Sequence, residues 1–402
     1  MKSVVLSQLI GNDGVFVDGD WVESKDQDPD GSIRLIQLAD IGDGIFVNKS
    51  NRYLTADKAK ELRCTFLKTD DVLIARMPDP LGRACIFPEL ETQCVTVVDV
   101  CIVRPDKNIA FSEWVMYLIN SPLFRNKIAQ YVTGTTRQRI SRGNLEKIEF
   151  ELPSIEQQKQ IVNILKQSDE IRQKRKQVID LLDEYLKSVF LEMFGDPIDN
   201  PKKFNVIKLS QVYVNEKDGT KCGPFGSALK KEEYVSSGIP VWTMDNIQGM
   251  DFVSEDSLFI TERKYKALEK YCVQNGDIII SRAGTVGKMA IVDGQELPSI
   301  ISTNLIRLRL DKSKLLSLYF VRLMNYCKGR VGRLRTGKDG TFTHMNTGIL
   351  DNLSFPLPPI ELQNKFAQIV DEVEDLKQRM LKQSEELDIQ FQALMQKSFS
   401  SN

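Results

Sequence analysis

Two stretches of the sequence, IEFELPSIEQQK at residues 148–159 and LSFPLPPIELQN at residues 353–364, share six of twelve positions. They lie 205 residues apart, and chance would give about one match in a pair of this length. In both, a Leu-Pro pair precedes a long segment without glycine or proline, which predicts a turn followed by a helix. The pattern therefore predicts a domain boundary and a long helix at two places in the chain.

The same separation, or one residue more, recurs along the chain and indicates a tandem duplication. Asp71–Arg76 aligns with Asp277–Arg282, and Leu81–Arg83 aligns with Val286–Lys288. Further aligned pairs are Arg104 with Arg309, Asp106 with Asp311, Lys107 with Lys312 and Phe194 with Phe399. A period of this length is much longer than that of a solenoid, so each copy is expected to be a whole domain.

We predict an α+β fold in which the two copies are mixed α/β domains at residues 1–152 and 197–357. Short β-rich runs alternate there with Gly, Asp and Asn and with helical stretches. The helical stretches include Ser112–Gln130 and Leu315–Tyr326. Each domain is followed by a spacer, at 153–196 and 358–402, in which a helix is predicted over 156–194 or 361–399.

Apolar residues in both predicted long helices recur mostly three, four or seven positions apart, which indicates an amphipathic or coiled-coil stripe. In the first helix the stripe comprises Ile161, Ile164, Leu165, Ile171, Val178, Leu182, Tyr185 and Val189. A helix with one apolar stripe needs a partner, and we expect the two helices to pair antiparallel. The alternative is that each helix packs only on its own domain.

Composition restricts the class of protein further. The chain has 402 residues, 42% hydrophobic and 27% charged, with a net charge of −1. This excludes a histone-like polycation, so nucleic-acid binding would have to come from local basic patches. We expect no membrane span and no secretory signal, because no apolar run is long enough. Seven cysteines without a CxxC pair favour free thiols and a cytoplasmic location.

Catalytic motifs are missing from the sequence. A single histidine makes His-dependent catalysis or a zinc site improbable. Ser281–Met289 has glycines too close together for a phosphate-binding loop and lacks the final hydroxyl residue. Asp79–Gly82 lacks the second proline and the aromatic residue of an amino-methyltransferase motif. We therefore expect neither catalysis, nor a metal, nor a bound cofactor in this chain.

The layout of these motifs resembles the specificity subunit of Type I restriction-modification enzymes over the whole chain. The residues that carry the resemblance are the boundaries Leu152–Gln158 and Leu357–Gln363, the segment Phe16–Trp21 followed by Ile33–Gln37, and the segment Cys222–Lys230 followed by Gly238–Val241. The resemblance implies two target-recognition domains in pseudo-two-fold arrangement on a helical spacer. Each would read one half of a split site in double-stranded DNA.

The resemblance also implies the partners. The spacer would dock two methyltransferase subunits, and restriction-translocase subunits would join for cleavage. S-adenosylmethionine, ATP and magnesium would belong to these partners. The two domains differ greatly outside the shared motifs, so we expect two different half-sites and an asymmetric DNA site.

Two basic, hydroxyl-rich loops precede the Leu-Pro boundaries and are our first candidates for DNA contact. The first contains Thr135, Thr136, Arg137, Gln138, Arg139 and Arg142, and the second contains Arg330, Arg333, Arg335, Lys338, Thr343, His344 and Asn346. Arginine can pair with guanine, and glutamine or asparagine with adenine. Lysine, threonine and backbone amides can hold phosphates. A solvated loop without function is the alternative.

Further candidates lie near the aligned strands. Arg76 and Arg282 follow these strands, with Arg83 and Lys288 just beyond, and groove contact and support of the fold are equally open for them. Gly223, Phe225 and Ser227 are candidates for a close approach to phosphate or for an ordinary turn. Trp21 and Trp242 are expected in the core.

Two other classes of protein stay open at this point. A coiled-coil assembly protein would bind only proteins, which the duplicated basic loops disfavour. A self-contained DNA methyltransferase or nuclease would need motifs that the sequence does not show.

Overall fold

The structure is a computed structural model. It describes residues 2–12, 14–134, 137–225, 228–249, 251–253, 257–282, 287–294, 297–327 and 346–400. The chain divides into two compact units. Unit one comprises Met1–Gln177 and Met380–Asn402, and unit two comprises Val178–Arg379.

The described residues of unit one form nine strands in three sheets. They are β1 (Lys2–Val4), β2 (Val15–Asp18), β3 (Ile33–Ile36), β4 (Tyr53–Leu54), β5 (Val72–Ala75), β6 (Ala84–Ile86), β7 (Cys94–Thr96), β8 (Val100–Arg104) and β9 (Phe150–Leu152). An antiparallel sheet has the order β2-β8-β5-β6, and a smaller sheet has the order β4-β3-β7. In the smaller sheet β3 pairs antiparallel with β4 and parallel with β7. A third sheet joins β1 and β9.

The helices that begin in unit one are α1 (Ala56–Glu61), α2 (Ser112–Asn120), α3 (Pro122–Gln130), α4 (Arg142–Leu145) and α5 (Ile155–Phe194). The predicted helical stretch 112–130 is therefore two helices. The break is at Ser121, whose hydroxyl accepts a hydrogen bond from the backbone N–H of Phe124 at 3.2 Å. Pro122 follows at the first position of α3, where the missing N–H costs nothing.

Unit two repeats the sheet order of unit one. Its strands are β10 (Asn205–Lys208), β11 (Thr220–Cys222), β12 (Ile239–Trp242), β13 (Ile247–Gln248), β14 (Asp251–Phe252), β15 (Leu258–Ile260), β16 (Ile278–Ser281), β17 (Met289–Ile291), β18 (Ile300–Ile301), β19 (Leu305–Leu308) and β20 (Ser354–Leu357). Three of its sheets correspond to the three sheets of unit one: β11-β19-β16-β17 to the four-stranded sheet, β15-β12-β18 to the three-stranded sheet, and β10-β20 to the pair β1-β9. The pair β13-β14 is additional. The tandem duplication is thus confirmed at the level of strand pairing.

The remaining helices are α6 (Glu262–Ala267), α7 (Ser317–Tyr326), α8 (Thr347–Asp351) and α9 (Ile360–Phe399). The long helices α5 and α9 each begin one residue before the predicted ranges and end at the predicted residue. Their length follows from the absence of glycine and proline inside them.

An ion pair at the same position of both four-stranded sheets supports the duplication. In unit one, Nε and Nη2 of Arg104 donate to the two carboxylate oxygens of Asp71 at 2.6 and 2.7 Å. In unit two, Arg309 donates in the same way to Asp277, at 2.8 Å for both bonds. The carboxylates are buried, so each pair connects the end of β8 or β19 to the turn before β5 or β16.

The long helices contribute to the core of each unit. In unit two, Asp183 of α5 pairs with Lys377 of α9 at 2.7 Å, and the rings of Phe190 and Phe366 lie 5.6 Å apart. The partner number falls as the α5 number rises, so the two helices run antiparallel there, as predicted. In unit one, Arg172 pairs with Asp388 at 2.6 Å.

The apolar stripe of α5 is only partly covered. Leu165 and Val189 are buried, as a paired helix requires. In contrast, Ile164, Ile171, Val178 and Tyr185 are 39–53% exposed. The prediction that these four side chains face a helical partner is wrong, because they lie on another face of the same helix.

Candidate nucleic-acid interface

Arg76 in unit one directly follows β5 and is only 5% exposed. Its Nη2 donates to the carbonyl of Val98 at 2.8 Å, and its Nη1 lies 2.9 Å from a carboxylate oxygen of Asp18. A guanidinium held in this way supports the fold. The geometry therefore favours the structural alternative for Arg76.

Arg83 precedes β6 and is 8% exposed. Its guanidinium donates to the carbonyls of Ile41, Met77, Pro80 and Leu38 at 2.5–3.1 Å. Burial lowers the pKa of this guanidinium from its ordinary value, because the charged form loses its hydration. These bonds connect the loop after β3 to the β5–β6 turn, so Arg83 also has a structural role.

The first candidate loop is attached to the end of β5. The backbones of Thr133 and Arg139 pair with each other, and the N–H of Ile140 donates to the carbonyl of Arg76 at 3.0 Å. Arg137 and Gln138 lie at the tip of this loop and are exposed. Among the described residues of the loop, these two side chains are therefore accessible to another molecule.

Two further arginines of this region are exposed in part. Arg139 pairs with Asp99 at 3.1 Å with half of its side chain exposed. Arg142 begins α4, lies 5.7 Å from the centre of the Phe16 ring and is 3.7 Å from Asp18. The structure thus brings Arg76, Arg139 and Arg142 together near two carboxylates, while Thr135 and Thr136 lie outside the described residues.

In unit two, Arg282 follows β16 as Arg76 follows β5. Its guanidinium lies 5.0 Å from the centre of the Phe225 ring, and Phe225 is 55% exposed. Nη1 of Arg282 is buried and has no hydrogen-bond partner among the residues that the structure describes. The pair presents an apolar ring and a cation on one surface, which is typical of contacts with nucleic acid.

Other predicted residues of unit two have local roles or lie outside the described residues. Gly223 donates its N–H to the carbonyl of Leu305 at 3.0 Å. Lys288 precedes β17 and is exposed. Asn346 is the N-cap of α8 and accepts a hydrogen bond from the N–H of Ile349 at 2.9 Å. Outside the described residues lie Ser227, Arg330, Arg333, Arg335, Lys338, Thr343 and His344.

The two tryptophans with a predicted core position behave differently. Trp242 is fully buried, which confirms the prediction, whereas Trp21 is 69% exposed and the prediction for it is wrong. Trp21 follows the last residue of β2 by three positions, at the edge of a cavity of about 430 Å³. A sequence signal could have identified Trp21 as a candidate site residue. Trp21 lies two residues after Gly19, as the candidate Phe225 lies two residues after Gly223.

No group of three or more His, Cys, Asp or Glu side chains among the described residues is placed to hold a metal ion. No helix there is both long and apolar enough to cross a membrane.

A family model described as the Type I restriction modification DNA specificity domain matches residues 25–181 and again residues 201–387. The two matches follow the duplication, one for each copy.

Individual proteins are similar at lower identity. The Type I restriction enzyme MjaVIII specificity subunit of Methanocaldococcus jannaschii is 22% identical over 292 residues, which are 68% of this chain and 66% of that protein. The StySPI specificity subunit of Salmonella potsdam is 23% identical over 294 residues, 68% of this chain and 60% of that protein. A chain solved in a study of complex assembly and conformational transition of the type I R-M system superposes with a TM-score of 0.67. It is 18% identical, and the match covers 100% of this chain and 97% of that chain.

Proposed function

This chain belongs to the family of Type I restriction-modification DNA specificity domains, and we propose that it reads a bipartite DNA site as the specificity subunit of such a system. The observation that carries the proposal is the repeated sheet order of the two units. Each unit places an arginine after the same strand, Arg76 or Arg282. Two similar domains with different surface residues suit two different half-sites.

One domain alone would discriminate too weakly. Each well-read base pair contributes about 1–3 kcal/mol, so three or four pairs leave many competing sites in a genome. Two domains roughly double the discrimination. We assign residues 1–152 and 197–357 as the two target-recognition domains, each with its own half-site.

We assign DNA contact first to the exposed side chains of the candidate surfaces. In unit one these are Arg137 and Gln138, supported by Arg139 and Arg142. In unit two they are Phe225 and Lys288, together with the half-buried Arg282. The basic loop around Arg335, which lies outside the described residues, is a further candidate from the sequence. In unit one, Arg76 and Arg83 support the strand ends next to this surface.

The residues 153–196 and 358–402 are the spacer in this proposal, and two methyltransferase subunits dock on it. Support comes from the uncovered apolar side chains of α5. Its portion in unit one exposes Ile164 and Ile171, and its portion in unit two exposes Val178 and Tyr185. Exposed apolar side chains at intervals of seven residues are the pattern with which one helix binds another.

The chemistry belongs to partner subunits in this proposal. The methyltransferase subunits supply S-adenosylmethionine, and restriction subunits supply ATP-driven cleavage with magnesium. This chain contributes sequence recognition and assembly.

A selection experiment tests the proposal. The chain is purified with the methyltransferase subunits of its own system and incubated with random duplexes, and the bound DNA is sequenced. We expect two blocks of enriched bases separated by a constant gap. Failure of a well-assembled complex to enrich any sequence would favour a coiled-coil assembly protein. Methyl transfer by the purified chain alone would favour a self-contained enzyme. Either result would contradict the proposal.

A further inference from the structure

Gly19 and Gly223 occupy the same position in the two units. Each directly follows the first strand of the four-stranded sheet, after Asp18 of β2 or Cys222 of β11. The N–H of Gly19 donates to the carbonyl of Val100 at 2.8 Å, and the N–H of Gly223 donates to that of Leu305 at 3.0 Å. The acceptors Val100 and Leu305 are 205 residues apart and the two glycines are 204 apart, so the chain leaves both strands at the same place.

The close packing at these glycines fixes that path. A Cβ on Gly19 would lie 2.2 Å from the carbonyl oxygen of Val97, and one on Gly223 would lie 1.8 Å from that of Ser302. Backbone oxygens cannot move aside as a flexible side chain can, so both positions require glycine. Two residues further on, the chain carries Trp21 in unit one and Phe225 in unit two.

Both aromatic side chains face solvent, with 69% of Trp21 and 55% of Phe225 exposed. The other two tryptophans, Trp114 and Trp242, are at most 1% exposed. A large exposed ring at one repeated position is unusual, because the hydrophobic effect favours burial of such rings. Because both rings are exposed at the equivalent position of the two units, both are available for contact with another molecule.

Each ring lies near the arginine that follows β5 or β16, or near residues that this arginine contacts. In unit two, Arg282 lies directly over the ring of Phe225. In unit one, Trp21 lines a cavity together with Val98 and Asp99. The carbonyl of Val98 accepts a hydrogen bond from Arg76, and the carboxylate of Asp99 pairs with Arg139.

We propose that Trp21 and Phe225 are equivalent base-contacting residues, and that each ring packs against a base of the half-site read by its own unit. This inference rests on the proposed function. The exposed part of Arg139 and the guanidinium of Arg282 attract the phosphate backbone, while an aromatic ring can stack on the face of a base. Phe225 was a candidate from the sequence, and Trp21 becomes one through its equivalence to Phe225.

Fluorescence tests the contact in unit one directly. Trp21 is the exposed one of three tryptophans, so acrylamide should quench it and leave the buried pair largely unaffected. The difference between the wild-type complex and a Trp21→Phe complex isolates its signal from those of the methyltransferase subunits. We expect the selected duplex to protect Trp21 from acrylamide. A duplex in which the half-site of unit one is replaced should not protect it.

The same approach reports on unit two. Phe225→Trp in the Trp21→Phe background should be protected only by the half-site that unit two reads. Unchanged quenching of either tryptophan on the selected duplex would overturn the inference.

Substitution to alanine measures the contribution of each ring to affinity. We expect Trp21→Ala and Phe225→Ala each to weaken binding of the selected duplex about tenfold with an unchanged thermal midpoint. On a duplex in which the corresponding half-site has been replaced, each alanine variant should bind with the same affinity as the wild-type complex. Phe66→Ala in unit one and Leu258→Ala in unit two are matched controls, because both side chains are partly exposed, at 36% and 40%, and lie outside the proposed contact.

The outcomes separate the two proposals. A wild-type complex that selects no sequence contradicts the proposed function, and this inference with it. A wild-type complex that selects a site, with alanine variants that bind as the two controls do, contradicts the inference alone.

Discussion

Gln158 and Gln363 are buried at the same place in the two units and make the same three hydrogen bonds. Oε1 accepts from the N–H of Phe111 in one unit and of Leu316 in the other, both at 2.9 Å. Nε2 of Gln158 donates to the carbonyls of Ile109 and Pro153 at 3.1 and 3.0 Å.

Nε2 of Gln363 donates to the carbonyls of Lys314 and Pro358 at 3.0 and 2.9 Å. Each glutamine thus connects the first turn of a long helix to the segment before α2 or α7. The last residue of the repeated LPxIExQ motif is therefore an anchor between the spacer and its domain.

We expect Gln158→Ala to lower the free energy of unfolding of unit one by about 3 kcal/mol, because a buried N–H and two carbonyls lose their partner. Urea unfolding followed by the fluorescence of the buried Trp114 measures the change. Gln160→Ala is the control, since Gln160 is exposed on the same helix turn and should change stability by less than about 0.5 kcal/mol. Equal effects of the two variants would contradict the anchoring role.

The repeated ion pair gives a second prediction. We expect Asp71→Ala to destabilise unit one by about 3 kcal/mol, because it leaves the largely buried Arg104 without its carboxylate. The exposed pair of Lys107 and Asp70, at 3.8 Å, is the comparison. Lys107→Ala should change stability by less than about 1 kcal/mol. Urea unfolding of both variants checks the prediction, and a small effect of Asp71→Ala would contradict the structural role of the pair.

Arg83 and Arg137 should respond to substitution in opposite ways. Arg83→Lys should lower the thermal midpoint by several degrees, because an ammonium cannot donate in the geometry that the four carbonyls require. Arg137→Ala should leave the midpoint unchanged and weaken binding of the selected duplex about tenfold. Calorimetry and a titration with labelled duplex give the two quantities.

The contrast between these arginines can fail in two ways. Weaker binding by a fully stable Arg83→Lys variant would assign Arg83 to DNA contact. Undiminished binding by Arg137→Ala would remove the tip of the first loop from the DNA surface. Arg335→Ala provides the parallel binding measurement for the second loop.

The docking surface gives a fourth prediction. We expect Ile171→Glu to reduce co-purification of the methyltransferase subunits about tenfold, because a carboxylate would enter an apolar helix contact. Gln177→Glu adds the same charge at another exposed position of α5 and is the control. Circular dichroism should show unchanged helix content in both variants. Equal recovery of the partner from both would place the methyltransferase elsewhere.

The long helices and the duplication could be predicted from the sequence because their signals are local or repeated. Absence of glycine and proline set the length of α5 and α9, and the Leu-Pro pairs located their starts to within one residue. Aligned residues such as Asp71 and Asp277 form equivalent ion pairs in the two units. Such features depend on periodicity and spacing, which the sequence contains in full.

Burial was harder to predict because it depends on distant parts of the chain. The carbonyls that hold Arg83 come from positions as far away as Leu38, and nothing near Arg83 indicates them. The spacing of Ile171 indicates an apolar face but not what covers it. Tryptophan is usually buried, yet Trp21 is 69% exposed, and nothing next to it in the sequence indicates this.

The most direct test of the account is a genome-wide map of methylated bases after co-expression with the methyltransferase subunits in a methylation-free host. A second strain carries the chain with residues 1–152 replaced by the corresponding region of a relative that reads another site. We predict a two-part motif with a gap of fixed length, of which the replacement changes one part and leaves the other intact. A single uninterrupted motif, or a replacement that alters both parts together, would contradict the assignment of one half-site to each unit.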